Sequence, residues 1–306
     1  MTENEVFEKL ISGVTSATYD EADARVDARE LVRFAAGDPA ALQDAIDARI
    51  SGMPLQYIIG EWDFYNCTFR LGEGVLIPRP ETEMLVEDTL EFLNSCFPAD
   101  SDDPTSMIYK VIYGQRVRGE YVLENKAQPM VLDLCSGSGC IGISIAKNFP
   151  SCKVMAVEKS PLAYEFLKQN IALNRVKNVI PLNDDILTGC NNLVDLTRGK
   201  FDVIVSNPPY VRTGEMEDLQ DEVHFEPKMA LDGGEDGLIF YRAIAERWIP
   251  LLRPGGLLLM ECGEDQADDI IEIFERIAPT YCGKVYKKTD FNSLFRVVGV
   301  EICEKS

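Results

Sequence analysis

The chain has 306 residues, a formal net charge of −21 and 46% hydrophobic residues, so it can bury a substantial core as one large domain or two ordinary ones. That charge opposes nucleic-acid binding unless a basic patch overrides it, and basic pairs such as Lys287-Lys288 are short and scattered. A single histidine, His224, argues against HExxH metalloenzymes and most histidine-dependent triads, and nine cysteines without a CxxC pair argue against a disulfide framework or zinc site.

The acidic opening Met1-Thr2-Glu3-Asn4-Glu5 lacks the basic start of a signal peptide. No apolar run reaches the length needed to span a bilayer. A cytoplasmic chain without membrane contact is expected. Residues 1–55 read as helical. Val6, Leu10 and Val14 share one face, a second helix opens at Tyr19-Asp20-Glu21-Ala22 and carries Ala22, Val26, Leu31 and Val32, and Asp38-Pro39 caps a third. Residues 56–79 change period. Tyr57–Gly60 and Phe64–Phe69 alternate like a β-hairpin. Pro78 and Pro80 then delay a helix until Glu81, from which it runs to about Phe97. Residues 98–128 are polar and irregular and read as an insertion.

From Pro129 strands and helices alternate. Strands are expected at Val131–Leu134, Lys153–Val157, Val179–Leu182, Phe201–Val205 and Gly256–Met260, with two more near Val285 and Phe295. Helices are expected at 139–148, 161–173, 236–250 and 265–277. The strand runs are almost continuously apolar, as strands covered on both faces should be, which predicts an α/β fold with a doubly wound parallel sheet.

The first of these strands ends in Asp133-Leu134-Cys135-Ser136-Gly137-Ser138-Gly139, and a helix follows at once. Gly137 and Gly139 allow a ligand close to the backbone. A strand, Gly-rich turn and helix also serve dinucleotides, so the turn alone leaves both open. Asp133 favours S-adenosylmethionine, because a carboxylate can hold that cofactor's amino group directly or through water. Glu158, at the second strand end, can accept from both ribose hydroxyls. After the third strand, Asp185 can take the adenine amino group while Ile186 packs on the ring. Ligands in such sheets bind at the carboxyl ends of strands, and three strand ends in sequence carry suitable residues.

The fourth strand runs into Asn207-Pro208-Pro209-Tyr210. The prolines stiffen the backbone. The Asn207 side-chain oxygen and the Pro208 carbonyl form two acceptors at a rigid separation. A planar NH2 group can satisfy both, which aims its nitrogen lone pair out of plane. Tyr210 offers an aromatic wall. Acceptors of this kind strengthen as positive charge develops on nitrogen, so the chemistry expected is methyl transfer to a planar amide or amino nitrogen. Arg79 and Glu81, directed by the flanking prolines, are expected to order the cofactor or the Asn207 loop. No metal is expected.

The combination of Pro54–Gly60, Leu76-Ile77-Pro78-Arg79-Pro80-Glu81-Thr82-Glu83, the turn within Val131–Ile141, Asn207–Tyr210 and Glu226-Pro227-Lys228-Met229-Ala230-Leu231 resembles the peptide chain release factor N5-glutamine methyltransferases. The resemblance covers nearly the whole chain. It implies a seven-stranded, Rossmann-like catalytic domain (80–306), a helical substrate-docking domain (1–55) and a β-hairpin linker (56–79). It implies S-adenosyl-L-methionine as methyl donor, S-adenosyl-L-homocysteine as product, and as acceptor the glutamine of a Gly-Gly-Gln motif in class I release factors. A monomer is expected. Two departures stand out: Cys135 occupies the place of the family's first turn glycine, a change that is tolerable if the residue adopts ordinary dihedrals, and Glu158 replaces the family's usual Asp. The alternatives are glutamine methylation on a ribosomal protein, and adenine-N6 methylation of nucleic acid by the same loop acting on a flipped base.

Overall fold

The N-terminal helices begin at their capping residues. α1 (Glu3–Gly13) is capped by Thr2, α2 (Glu21–Ala35) by Asp20 and α3 (Pro39–Ile50) by Asp38, whose carboxylate accepts from Ala40 and Ala41 N–H. This computed structural model describes residues 1–16, 18–97, 128–189 and 201–303. The expected insertion at 98–128 lies outside them except for Gln128. In α2 the buried face differs from the expected one: Ala24, Asp27, Ala28, Leu31 and Ala35 turn inward, while Val26 is exposed. The cause is Asp27, which is drawn inside by an ion pair with Arg49 of α3.

Between bundle and sheet, Leu55–Ile59 is a short helix (α4), not the strand that its alternation suggested. Pro54 starts it and Gly60, at a φ of 78°, ends it. The hairpin is displaced to β1 (Glu61–Phe64) and β2 (Cys67–Arg70), paired antiparallel. The connecting Tyr65 is left-handed at a φ of 56°. Its N–H donates to Glu83 at 2.7 Å, which fastens the hairpin to α5 (Glu83–Cys96).

The larger part of the chain is built on a seven-stranded sheet. Its strands are β3 (Met130–Leu134), β4 (Lys153–Glu158), β5 (Val179–Asn183), β6 (Phe201–Ser206), β7 (Leu252–Glu261), β8 (Cys282–Thr289) and β9 (Phe295–Ile302), in the order β5-β4-β3-β6-β7-β9-β8. The first five are parallel to one another. β9 is antiparallel to both β7 and β8, so the sheet is mixed rather than wholly parallel. The reason is local: β8 and β9 are joined by a tight loop, which only an antiparallel pair can close.

Two apolar layers cover the sheet. One holds α5, α6 (Cys140–Asn148) and α7 (Pro161–Leu173) with the hairpin, and the other holds Tyr241, Trp248 and α9 (Ala267–Ile277). Between them in sequence, α8 (Ile239–Ala243) continues into a π-helical turn at Ile244–Trp248 and a final 3₁₀ turn at Ile249–Leu251, where a helix was expected at 236–250. The described cysteines are free thiols. Among the described residues no helix is long and apolar enough to cross a membrane.

Candidate active site

From β3 the chain steps outward through β4 to β5, then crosses back to place β6 on the other side of β3. The loops after β3 and β6 therefore diverge and leave a crevice at the strands' carboxyl ends. A cavity of about 260 Å³ fills it. Its wall includes Cys135, Ser136, Gly137, Ser138, Glu158, Asp185, Ile186, Asn207 and Pro209. The other expected residues, Asp133, Gly139, Pro208, Tyr210, Arg79 and Glu81, are not part of that wall.

The turn off β3 uses three left-handed residues: Cys135 at a φ of 58°, Gly137 at 54° and Gly139 at 85°. Cys135 thus departs from the ordinary dihedrals expected of a non-glycine residue. The turn demands it, because the next N–H, that of Ser136, donates across to Val157 of β4 at 3.0 Å. Gly139 is needed on a second ground, since a Cβ there would run into Leu167 and Ile143. Gly137 faces open space, which suits close approach by a ligand.

Asp133 is fully buried. Its Oδ2 accepts from Gly142 N–H at 3.0 Å, while Oδ1 finds no partner. Burial pushes its carboxyl up to about 8, against the lowering effect of the Gly142 N–H and with a further upward push from the Glu158 charge. Ser136 Oγ is likewise buried without a partner. Two unpartnered polar atoms behind one glycine-rich turn fit a ligand with a polar or cationic group.

Glu158 ends β4 with its carboxylate already oriented. Oε2 accepts from Gly137 N–H at 2.8 Å and Oε1 from Ser160 N–H at 2.6 Å. Burial raises its pKa, and these backbone bonds hold it back. Each carboxylate oxygen retains acceptor capacity toward the cavity. Burial also works against the Asp185 charge, but the Lys159 ammonium at 2.9 Å and the Leu187 N–H at 2.9 Å outweigh it and hold the carboxyl below its usual range. Ile186 is buried, and its carbonyl is held by the Trp248 indole N–H at 2.9 Å.

Asn207 follows β6 directly. Its Nδ2 donates to Thr82 Oγ1 at 3.2 Å, and Thr82 donates to Glu261 Oε2 at 2.6 Å. The Tyr210 carbonyl accepts from Gln266 Nε2 at 2.9 Å, and the Tyr210 ring packs against the core layer of Tyr241 and Trp248. The aromatic side chain on the cavity wall is Phe240. Beyond the loop, Val211 N–H donates to Leu231 and Gly233 N–H to Val211, each at 2.8 Å, which ties the loop to the segment around 228–234.

Arg79 is bonded to the buried Glu226, whose other oxygen accepts from Ile77 N–H at 2.9 Å. This contact clamps the proline-rich segment before α5 onto the segment after the Asn207 loop. Glu81 is half-buried beside Glu261. The sequence reading passed over Thr82, Ser160 and Phe240. Thr82 carried a usable signal: a hydroxyl between two acids in a proline-stiffened segment. Phe240 carried none, because its approach depends on how α8 packs.

The sequence model of the methyltransferase small domain family matches residues 121–234. The chain is similar to the release factor glutamine methyltransferase of Thermodesulfovibrio yellowstonii, with 39% identity over 76% of this chain and 71% of that one. It is similar to the enzyme of the same name from Moorella thermoacetica, with 33% identity over 90% of this chain and 87% of that one. Among solved structures, the hMettl16 catalytic domain in complex with the MAT2A 3'UTR hairpin 6 superposes with a TM-score of 0.53 at 13% identity, covering 84% of this chain and 82% of that one. At that identity the likeness is one of fold.

Proposed function

This chain belongs to the release factor glutamine methyltransferase family, and from that premise we propose that it transfers a methyl group from S-adenosylmethionine to the side-chain amide nitrogen of the Gly-Gly-Gln glutamine in a class I peptide chain release factor. The observation that carries this reading is the orientation of Asn207. With its NH2 end committed to Thr82, the end left for a substrate is the acceptor Oδ1.

S-adenosylmethionine supplies, when bound, a methyl group activated by a positively charged sulfur. The residues present fit it. Asp133 Oδ1, unpartnered behind the turn, would receive the amino group directly or through water. Glu158, already aligned by Gly137 and Ser160, would take the ribose hydroxyls. Asp185 and Ile186 would hold the adenine.

The chain's own part in the reaction is positioning and electrostatics. Asn207 Oδ1 and the Pro208 carbonyl accept the two N–H groups of the glutamine amide and hold its plane fixed. As the amide nitrogen forms its bond to the methyl carbon, its N–H groups gain positive charge and both hydrogen bonds strengthen, and one of those two protons is then lost to water to leave the neutral N-methyl amide. This stabilisation is specific to the transition state, because the resting amide is neutral. Fixing the amide also removes the orientational search that would otherwise slow the encounter. The formal charge of −21 weighs against a nucleic-acid acceptor.

The test is methyl transfer from radiolabelled S-adenosylmethionine to a class I release factor with an intact Gly-Gly-Gln loop and to its Gln→Ala variant. Label on the first alone is expected. Label on both, or on neither while the cofactor binds, overturns the acceptor.

A further inference from the structure

We propose that Thr82 and Glu261 are positioning residues for the transfer: together they dictate which end of the Asn207 amide faces the substrate. The inference rests on the reading that Asn207 receives the acceptor amide.

The argument begins with donor counting. A threonine hydroxyl has one proton to give. An ionised carboxylate has none, so whenever Glu261 is ionised the Thr82 proton, 2.6 Å from Glu261 Oε2, points to it. Thr82 Oγ1 can then only accept from Asn207, and the Asn207 group that donates is its NH2, at 3.2 Å. The amide is thereby turned with Oδ1 toward the substrate side. The opposite orientation would place two donors against the two donors of the incoming amide.

The fold puts these residues in line for definite reasons. In the pairing of β6 with β7, Ser206 lies opposite Met260, so the next residues, Asn207 and Glu261, emerge side by side at the carboxyl end of the sheet. Thr82 reaches them from the other direction, at the end of the 3₁₀ turn Pro80–Thr82 that leads into α5. Thr82 and Glu261 are both almost fully buried. Burial strengthens the Thr82–Glu261 bond, while Asn207 stands on the cavity wall. The Glu261 backbone is held as well, since the Tyr241 hydroxyl donates to its carbonyl at 2.8 Å.

The protonation of Glu261 is then part of the device. Burial raises its pKa to about 7, the Thr82 hydroxyl lowers it, the Glu81 charge raises it, and Arg296 and Arg79 lower it. Tyr210 and Cys262 also face this carboxylate. A protonated Glu261 can donate to Thr82, which frees Thr82 to donate to Asn207 Oδ1 and removes the preference for the productive amide orientation.

The test compares Thr82→Val, Thr82→Ser and Glu261→Gln in the full chain. Thr82→Val is expected to lower kcat at least about tenfold while the dissociation constant for S-adenosylmethionine stays within about twofold. Thr82→Ser, which keeps the hydroxyl, should restore most of the rate. Glu261→Gln, whose amide can both donate and accept, should lower kcat and abolish the acid limb of the kcat–pH profile. A second readout needs no acceptor protein: the side-chain NH2 resonances of Asn207 in asparagine-labelled protein, assigned by their loss in Asn207→Ala. These should shift in Thr82→Val and stay in place in Thr82→Ser. Unchanged resonances in Thr82→Val overturn the relay, as does unchanged kcat. If the wild-type chain labels no release factor yet the resonances shift as described, the relay stands and the choice of acceptor falls.

Discussion

Arg49 and Glu222 lie 173 positions apart in sequence and meet at 2.6 Å, Nη2 to Oε1. The same guanidinium donates through Nε to Asp27 at 2.6 Å, and Asp27 also accepts from the Tyr19 hydroxyl at 2.9 Å. One buried arginine thereby joins two helices of the N-terminal bundle to the segment that follows the Asn207 loop. The bundle is in this way tied to the 3₁₀ turn Asp221–Phe225.

Arg49→Met should therefore be costly. It leaves the buried Asp27 carboxylate without its cation, and breaking a buried pair from one side costs on the order of 3 kcal/mol. Urea unfolding should show that loss, and Asp27→Asn placed on top of Arg49→Met should recover part of it. A single-variant loss below about 0.5 kcal/mol, the scale of a solvent-screened pair, would show that the contact is not buried in solution.

Cys135 carries a left-handed φ of 58° in a turn where a glycine would rest without strain. For a residue with a Cβ this conformation costs roughly 1–2 kcal/mol, part of which glycine's larger unfolded-state entropy cancels. Cys135→Gly should stabilise the chain by about 0.5–1 kcal/mol with cofactor binding retained. A midpoint that moves the other way in chemical denaturation would mean that the thiol's packing outweighs the backbone strain.

Stability should also fall as pH rises through neutrality. The Asp133 carboxyl is raised from 3.8 to about 8 in the folded chain, and Glu261 from 4.5 to about 7. Between those values the unfolded chain has released protons that the folded chain still holds, so raising the pH favours unfolding. The contribution is fully present below the unfolded values, declines through pH 7 to 8, and is level above. Denaturation midpoints from pH 5 to 9 should trace this decline, and Asp133→Asn should flatten it. A wild-type profile that is flat over that range would contradict the burial of both groups.

Asn207→Ala should keep S-adenosylmethionine binding and lose turnover by at least about two orders of magnitude, the scale of a lost transition-state hydrogen-bonding group. Calorimetry and single-turnover labelling separate the two effects. Equal losses in both would make Asn207 a cofactor residue rather than a substrate one.

Much of the fold was legible from local chemistry. The caps at Asp20 and Asp38, the apolar strand runs from Met130 to Glu261 and the glycines of the first turn each act over a few residues, so their consequences can be read in order along the chain. The same holds for Asn207, Pro208 and Pro209, whose stiffness follows from proline itself. Where the expectation failed, either a distant partner decided the outcome or a neighbouring helix start and stop overrode the alternation. Asp27 was drawn inward by Arg49 and changed the buried face of α2, and the alternation at Tyr57–Gly60 yielded to a helix started at Pro54 and ended at Gly60.

By itself, then, the sequence determined which loops leave the sheet and which side chains they carry. Only the tertiary structure decided what those side chains do. Arg79 turns to Glu226, Tyr210 turns to the core, and Thr82, inconspicuous in sequence, joins Glu261 to Asn207. A hydrogen bond is set by the distance and direction of its partner, and these partners lie far apart in the chain.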